Sequence, residues 1–256
     1  MTTIAVAETP LVLSLLRLAD TALVHSHRLS EWCGHAPMIE EDLALANLAL
    51  DLLGQARALY AYAAEVEGAG RTEDDLAYLR DAPQYRNVLM AELPRGDFAF
   101  TILRGFLLSA WAHPFWQAAA RSADAQLAAI AAKAEKEAAY HVRHTGEWTI
   151  RLGDGTEESR RRMLTALETL WPYTGELFEA DAADRAMIAA GVLPDPATLR
   201  PAWEATVTRV FDEALLPRPA DGWMQTGGRS GRHTEHLGHM LAVMQHLQRA
   251  YPGCTW

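Results

Sequence analysis

From Ile39 to about Val66 the chain presents an unbroken helical pattern, and its apolar residues mark more than one side of that helix. Ile39, Leu43, Ala46, Leu50 and Leu53 recur at the three-to-four spacing of one face, and Leu45, Leu48, Leu52 and Leu59 thicken it until the segment is apolar most of the way round. A helix of that kind has to be enclosed by others. The remaining sequence supplies them, because Ala and Leu dominate, β-branched residues are sparse, and no stretch alternates apolar and polar residues long enough to argue a half-buried strand. The fold class is therefore all-α.

The punctuation sets the other helices. A first helix begins near Thr9 and covers residues 11–29, ending before the turn-forming Gly34, His35, Ala36 and Pro37. Gly68, Gly70 and a charged segment to Arg80 read as a surface connection. Pro94, Gly96 and Asp97 introduce a third, almost wholly apolar helix over about 98–120, and a fourth runs over about 124–152 until Gly153, Asp154 and Gly155 end it. Four helices of this length make a four-helix bundle. Beyond it Thr156 caps a helix through Glu168, Pro172 bends or stops it, and shorter helices interrupted by Pro194, Pro196, Pro201, Pro217 and Pro219 lead to a last helix over about 233–250. No repeat or linker divides the chain, so the expectation is one domain over 1–256, with its core bundle at about 11–152 and a helical extension at about 156–256.

A formal charge of −10 offers a nucleic-acid backbone or an anionic membrane no electrostatic reason to bind. Cys33 and Cys254 form no C-x-x-C pair and no disulfide framework, and the apolar run 11–18 is cut by Arg17, so the chain reads as cytoplasmic.

Four-helix bundles host carboxylate-bridged di-iron sites built from one Glu on each of two helices and Glu-x-x-His on each of the others. None of the ten histidines has an acidic residue three positions before it, and no Asp or Glu occurs between Asp97 and Asp124, so that ligand set cannot be assembled. Partial constellations remain. Glu137, His141 and His144 share one flank of the fourth helix, which suits either a metal or a salt-bridged polar stripe, and the stripe is the preferred reading. Glu40, Asn47, Asp51 and Gln55 share a face of the second helix and would be satisfied by Arg17, His25 or His141. His233, His236 and His239 resemble a metal cluster superficially and suit a polar interface better. The loop Gly227-Gly228-Arg229-Ser230-Gly231-Arg232 has backbone amides and guanidinium groups suited to a phosphate, without a Walker lysine or a preceding strand. Cys33 and His35 lack a nucleophile-elbow context, while Trp111, Trp116, Trp148, Trp171, Trp203 and Trp223 supply amphipathic surface that interfaces favour.

The strings Glu31-Trp32-Cys33-Gly34-His35-Ala36-Pro37 and Asp51-Leu52-Leu53-Gly54-Gln55-Ala56-Arg57 are long and unusual. With Lys136-Glu137-Ala138-Ala139-Tyr140-His141 and the terminal Thr226-Gly227-Gly228 through His233-Thr234-Glu235-His236, they make the whole chain resemble the C subunits of bacterial phenylacetyl-CoA epoxidases. That resemblance implies a ferritin-like fold in a multicomponent monooxygenase of aerobic phenylacetate degradation. It further implies a non-catalytic structural companion with no cofactor of its own, catalytic residues or metal ligands included. The di-iron centre would sit in a related catalytic A subunit, with which this chain forms a heteromeric core, and a reductase subunit would bring electrons from NADPH. On that picture Arg229 and Arg232 are candidate contacts to CoA phosphates. Two other readings stay open: an autonomous di-iron oxidase or iron-binding bundle using Glu137, His141 and His144 with Glu40, Glu41 or Asp42, and an acyl-CoA-binding module.

Overall fold

A computed structural model describes residues 3–254; the ends of the expected 1–256 span, residues 1, 2, 255 and 256, lie outside the described residues. Eleven α-helices and no strand occur among them: α1 (Pro10–Ser30), α2 (Ile39–Glu67), α3 (Glu73–Tyr78), α4 (Leu89–Glu92), α5 (Phe98–Ala119), α6 (Ala125–Gly153), α7 (Glu157–Leu170), α8 (Ala182–Ala189), α9 (Pro196–Glu213), α10 (Glu235–Met244) and α11 (His246–Ala250). Local chemistry sets the long ones. Thr9 Oγ1 accepts the Val12 amide at 3.3 Å, Asp97 the Phe100 amide at 2.9 Å and Asp124 the Leu127 amide at 2.8 Å, each satisfying a donor that the first helical turn leaves free. Gly68 closes α2 with φ at +70°, a conformation costly for any side chain.

Helix α1 packs along α2 and α5 along α6, and the two pairs bury Leu15, Leu16, Leu59, Leu103, Phe106 and Leu107 between them. This is the ferritin-like four-helix arrangement, all-α throughout. At one end a smaller apolar cluster of Leu29, Trp32, Leu45, Leu48 and Ile102 is closed by Phe98 and Trp148. Helices α7 and α9 cover the outer side of α5, with Trp203 Nε1 donating to the Leu107 carbonyl at 3.1 Å. Gly153 is what lets α6 end against α9: a Cβ there would stand 2.5 Å from the Ala214 carbonyl oxygen.

Four expectations are corrected. The segment 68–80 is not merely a surface connection, because it carries α3, with Leu76 and Ala77 buried, and buries Arg80 completely against Asp20 of α1. Pro201 does not interrupt α9; the backbone bond it forfeits is offset by burial of Leu199, Trp203, Val207, Val210 and Phe211 on that helix. The last helix starts only at Glu235 and breaks at Gln245, whose side-chain amide turns inward to donate to the Ala77 and Arg80 carbonyls at 3.2 and 3.0 Å. Finally, Trp116, Trp171 and Trp203 belong to the core, Trp111 and Trp148 are half-buried, and only Trp223 of the six stands exposed.

Candidate functional site

The centre of the bundle is where a ferritin-like fold would hold its metals. Here His25 of α1, Gln55 of α2, Ser109 of α5, and His141 and Thr145 of α6 line a cavity of about 60 Å³. Thr21 and Thr101 add two hydroxyls, the remaining walls are mainly apolar, and no Asp or Glu lines it. The residues three before its two histidines, Ala22 and Ala138, are also on its wall. A carboxylate-bridged di-iron centre does not fit this donor set, since hard cations of that kind need several anionic oxygens. Among the described residues no three His, Cys, Asp or Glu converge as metal ligands.

The electrostatics agree with that geometry. Burial pushes His25 well below the ordinary histidine range, the Arg104 guanidinium and His141 add to the shift, and its Nε2 has no hydrogen-bond partner. Burial also lowers Arg104, to about 9, with Arg28 contributing; its Nη1 donates to the Leu93 and Pro94 carbonyls while Nε and Nη2 find no acceptor. Arg104 lies outside the cavity wall, with its guanidinium turned to the 93–94 backbone, and Glu31 partly opposes the downward shift.

Of the sequence-derived metal candidates, Glu137 and His144 lie off the cavity wall on the seam between α2 and α6, and His141 reaches both, each with its own partner. Glu137 accepts from Gln55 Nε2 at 2.8 Å and faces Lys133 at 3.5 Å. His141 Nε2 meets Asp51 Oδ2 at 3.0 Å; burial lowers the imidazole and outweighs the opposing pull of Asp51. His144 Nε2 stands 3.1 Å from Glu41 Oε2 without the angles of a hydrogen bond, with Tyr140 stacked on its ring. The expected network of the second helix thus reaches His141 as anticipated. Arg17 and His25 take no part: Arg17 pairs with Asp181 and with Asp184 at 2.9 Å. Glu40 and Asn47 are exposed, and Asp42 accepts the Gly34 amide at 2.7 Å.

The glycine-rich loop does hold an anion, and it comes from the same chain. The fully buried Glu176 accepts the Gly227 and Arg229 amides on Oε1 at 3.0 and 3.3 Å and the Leu89 amide on Oε2 at 2.7 Å. Gly228 permits this close approach, for a Cβ would come within 2.3 Å of the Asn87 carbonyl oxygen. The Arg229 guanidinium is engaged by both oxygens of Asp184 at 2.8 and 2.9 Å, whereas Arg232 is exposed. The neighbouring cleft includes Glu176, Glu179 and Asp181 beside Arg17, Arg229 and Arg232, a mixed-charge lining rather than a basic one.

The C-terminal histidines are not brought together. His233 is clamped between Glu92 at 2.7 Å and the Tyr85 carbonyl at 2.9 Å, His236 is half-buried, and His239 is exposed. Cys33 is a free, exposed thiol, and its carbonyl oxygen lies 3.0 Å from His35 Nδ1. Sequence reasoning missed the Asp20–Arg80 pair and Glu176; only a charged residue inside an otherwise apolar stretch, such as Asp20 in α1, signals such a group beforehand.

Fold and centre together define a ferritin-like bundle that keeps the scaffold and lacks the carboxylates of a di-iron site. The chain belongs to the family of phenylacetic acid catabolic proteins, whose model matches residues 1–256. It is 53% identical over 241 residues to an Escherichia coli (strain K12) protein described as the C subunit of 1,2-phenylacetyl-CoA epoxidase, a likeness covering 94% of this chain and 97% of that relative. Among the described residues no helix is long and apolar enough to cross a membrane.

Proposed function

We propose that this chain is a non-catalytic structural subunit of a 1,2-phenylacetyl-CoA epoxidase, the ring monooxygenase of aerobic phenylacetate degradation, and that it stabilises the di-iron catalytic A subunit in a cytoplasmic complex. The nearly full-length likeness to a protein named as the C subunit of such an epoxidase supports the assembly and the pathway. One observation carries the division of labour: the bundle centre has His25 and His141 with Gln55, Ser109 and Thr145, and no carboxylate. Its volume of about 60 Å³ also falls short of the roughly 150 Å³ cavity that admits a benzene ring, so an aromatic acyl group has no room there. Metal, oxygen chemistry and the NADPH-dependent reductase's electrons would then belong to the partners.

The test has two arms. Purified alone from iron-replete cells, the chain should carry almost no iron and should not turn over phenylacetyl-CoA with reductase and NADPH. Co-expressed with the catalytic partner, it should raise that partner's soluble yield and melting temperature. About two irons per chain, the occupancy of a di-iron bundle, or turnover by this chain without its catalytic partner would establish the autonomous oxidase instead.

A further inference from the structure

We infer that the chamber at the bundle centre is a binding site for a small neutral molecule with a single hydroxyl group and no more than about three heavy atoms. Such a site lies outside the role proposed for the subunit and does not depend on it.

Two polar groups of the chamber's residues are unpaired. His25 and Trp111 both line it, and His25 Nε2 and the Trp111 indole N–H are buried without a hydrogen-bond partner. The other polar residues of the wall are already engaged. Thr21, Thr101, Ser109 and Thr145 donate their hydroxyl hydrogens to the carbonyls of Arg17, Arg95, Phe106 and His141. Gln55 is bonded to Glu137, and His141 to Asp51. Leu18, Leu29, Leu45, Leu48, Ile102 and Leu108 supply most of the remaining surface.

This wall selects its guest. No Asp, Glu, Lys or Arg lines the chamber, so an ion would lose its hydration there and meet no counter-charge. A buried water makes about three hydrogen bonds, and here an unpaired nitrogen on each of two rings faces an otherwise apolar enclosure. A hydroxyl carried on a short hydrocarbon matches both parts. Its oxygen accepts from the indole N–H, it donates to or accepts from His25 Nε2 in either tautomer of the neutral ring, and its carbon end packs on the leucines. Size sets the limit: a cavity of about 150 Å³ takes benzene, roughly 25 Å³ for each heavy atom, so about 60 Å³ holds two or three. Leu18, Thr21 and Trp111 also line a second cavity of about 40 Å³, which shares Arg17, Glu176 and Arg229 with the cleft beside the glycine-rich loop. The Trp111 indole therefore stands between the chamber and a way in from the surface.

The experiment is proton–nitrogen correlation NMR of the nitrogen-15-labelled full chain, titrated with ethanol. Trp111→Phe identifies the Trp111 indole signal by its loss. In the wild type that signal should shift saturably, with a dissociation constant on the order of 1 mM or weaker, the ceiling for three heavy atoms. His25→Leu removes the ring nitrogens and keeps the site apolar, and it should weaken binding at least about fivefold, with circular dichroism reporting on the fold. Butanol, with five heavy atoms, should give no saturable shift. A shift that rises linearly with ethanol, or butanol binding as tightly as ethanol, overturns the site. A saturable shift that His25→Leu leaves unchanged overturns it as well, because the guest then occupies the cavity on the other side of Trp111. If His25→Leu does not fold, a crystal structure of the wild type soaked in ethanol decides: ethanol against His25 and Trp111 upholds the assignment, and water alone in the chamber overturns it.

Discussion

Replacing Asp20 by Asn tests the buried ion pair that ties the 68–94 segment to α1. Both Asp20 and Arg80 are wholly inaccessible. Asp20 receives two guanidinium nitrogens of Arg80, one of them at 3.0 Å, the Tyr60 hydroxyl, and the Arg86 amide at 2.7 Å. Burial alone would lower the Arg80 pKa, but Asp20 outweighs it and raises the group above its ordinary value, so the cation is held charged. Asn keeps the shape and one acceptor while removing the charge, leaving Arg80 uncompensated inside the protein. Loss of one member of a buried pair costs about 3–5 kcal/mol, which for a chain of this size lowers the melting temperature by roughly 6–20 °C at about 2–4 °C per kcal/mol. The assay is urea and thermal unfolding of four proteins: wild type, Asp20→Asn, Arg80→Met, and the double variant. If the cost is the stranded charge, the double variant recovers about 2 kcal/mol or more relative to Asp20→Asn. A double variant no more stable than Asp20→Asn would show that the loss lies in the Tyr60 and Arg86 hydrogen bonds, and the reasoning would be wrong.

Two further outcomes follow from the same kind of burial. Glu176→Gln should destabilise by about 2–4 kcal/mol, because one end of the amide now presents N–H to backbone N–H groups that had shared a carboxylate; increased proteolysis within 226–232 is the second readout, and an intact, equally stable loop would refute the assignment. Titration should separate the two kinds of buried histidine. His25 has a lowered folded pKa, so its contribution is present above the unfolded value of about 6.5 and is lost as pH falls below it. At His233 burial lowers the pKa, but Glu92 and the Tyr85 carbonyl outweigh it, and the net shift is upward; its contribution is full below about 6.5 and lost as pH rises through the raised folded value. Stability measured from pH 5 to 8.5 should therefore lose part of its acid-side slope in His25→Phe, with His27 and His141 keeping the rest, and part of its alkaline-side slope in His233→Gln, and a reversed pattern would rule out these protonation states.

The helices were legible because their signals are local. Thr9, Asp97, Asp124 and Thr156 each cap a helix through an amide three residues on, so both partners fall within one short stretch of sequence. The absence of Glu-x-x-His is equally local. What escaped is what pairs at long range: Asp20 with Arg80 across 60 residues, and Glu176 with the Gly227 amide across 51. A charged stretch such as 71–81 looks the same in sequence whether its arginine faces water or an aspartate in the core. The glycine-rich loop was recognisable as an anion cradle, but nothing in its own residues tells an internal carboxylate from a phosphate.

The placement of Glu137, His141 and His144 explains how a bundle can keep ligand-like residues without keeping a ligand site. At about 100° per residue, the positions of α6 that face the centre are those of Ala134, Ala138, His141 and Thr145, and all but Ala134 line the cavity. Glu137 and His144 sit roughly a quarter turn away, toward α2, where Gln55 and Glu41 meet them. A Glu-x-x-His pair would require a carboxylate at 138, and on α1 one at 22 before His25, and both positions are alanine on the cavity wall. His25 and His141 therefore remain inside, where burial disfavours the protonated imidazole, while the acidic partners stand on the flank and hold two helices together. Carboxylates placed there, Asp51 from α2 and Glu137 from α6, each meet a side chain of the facing helix and so link the two along the seam.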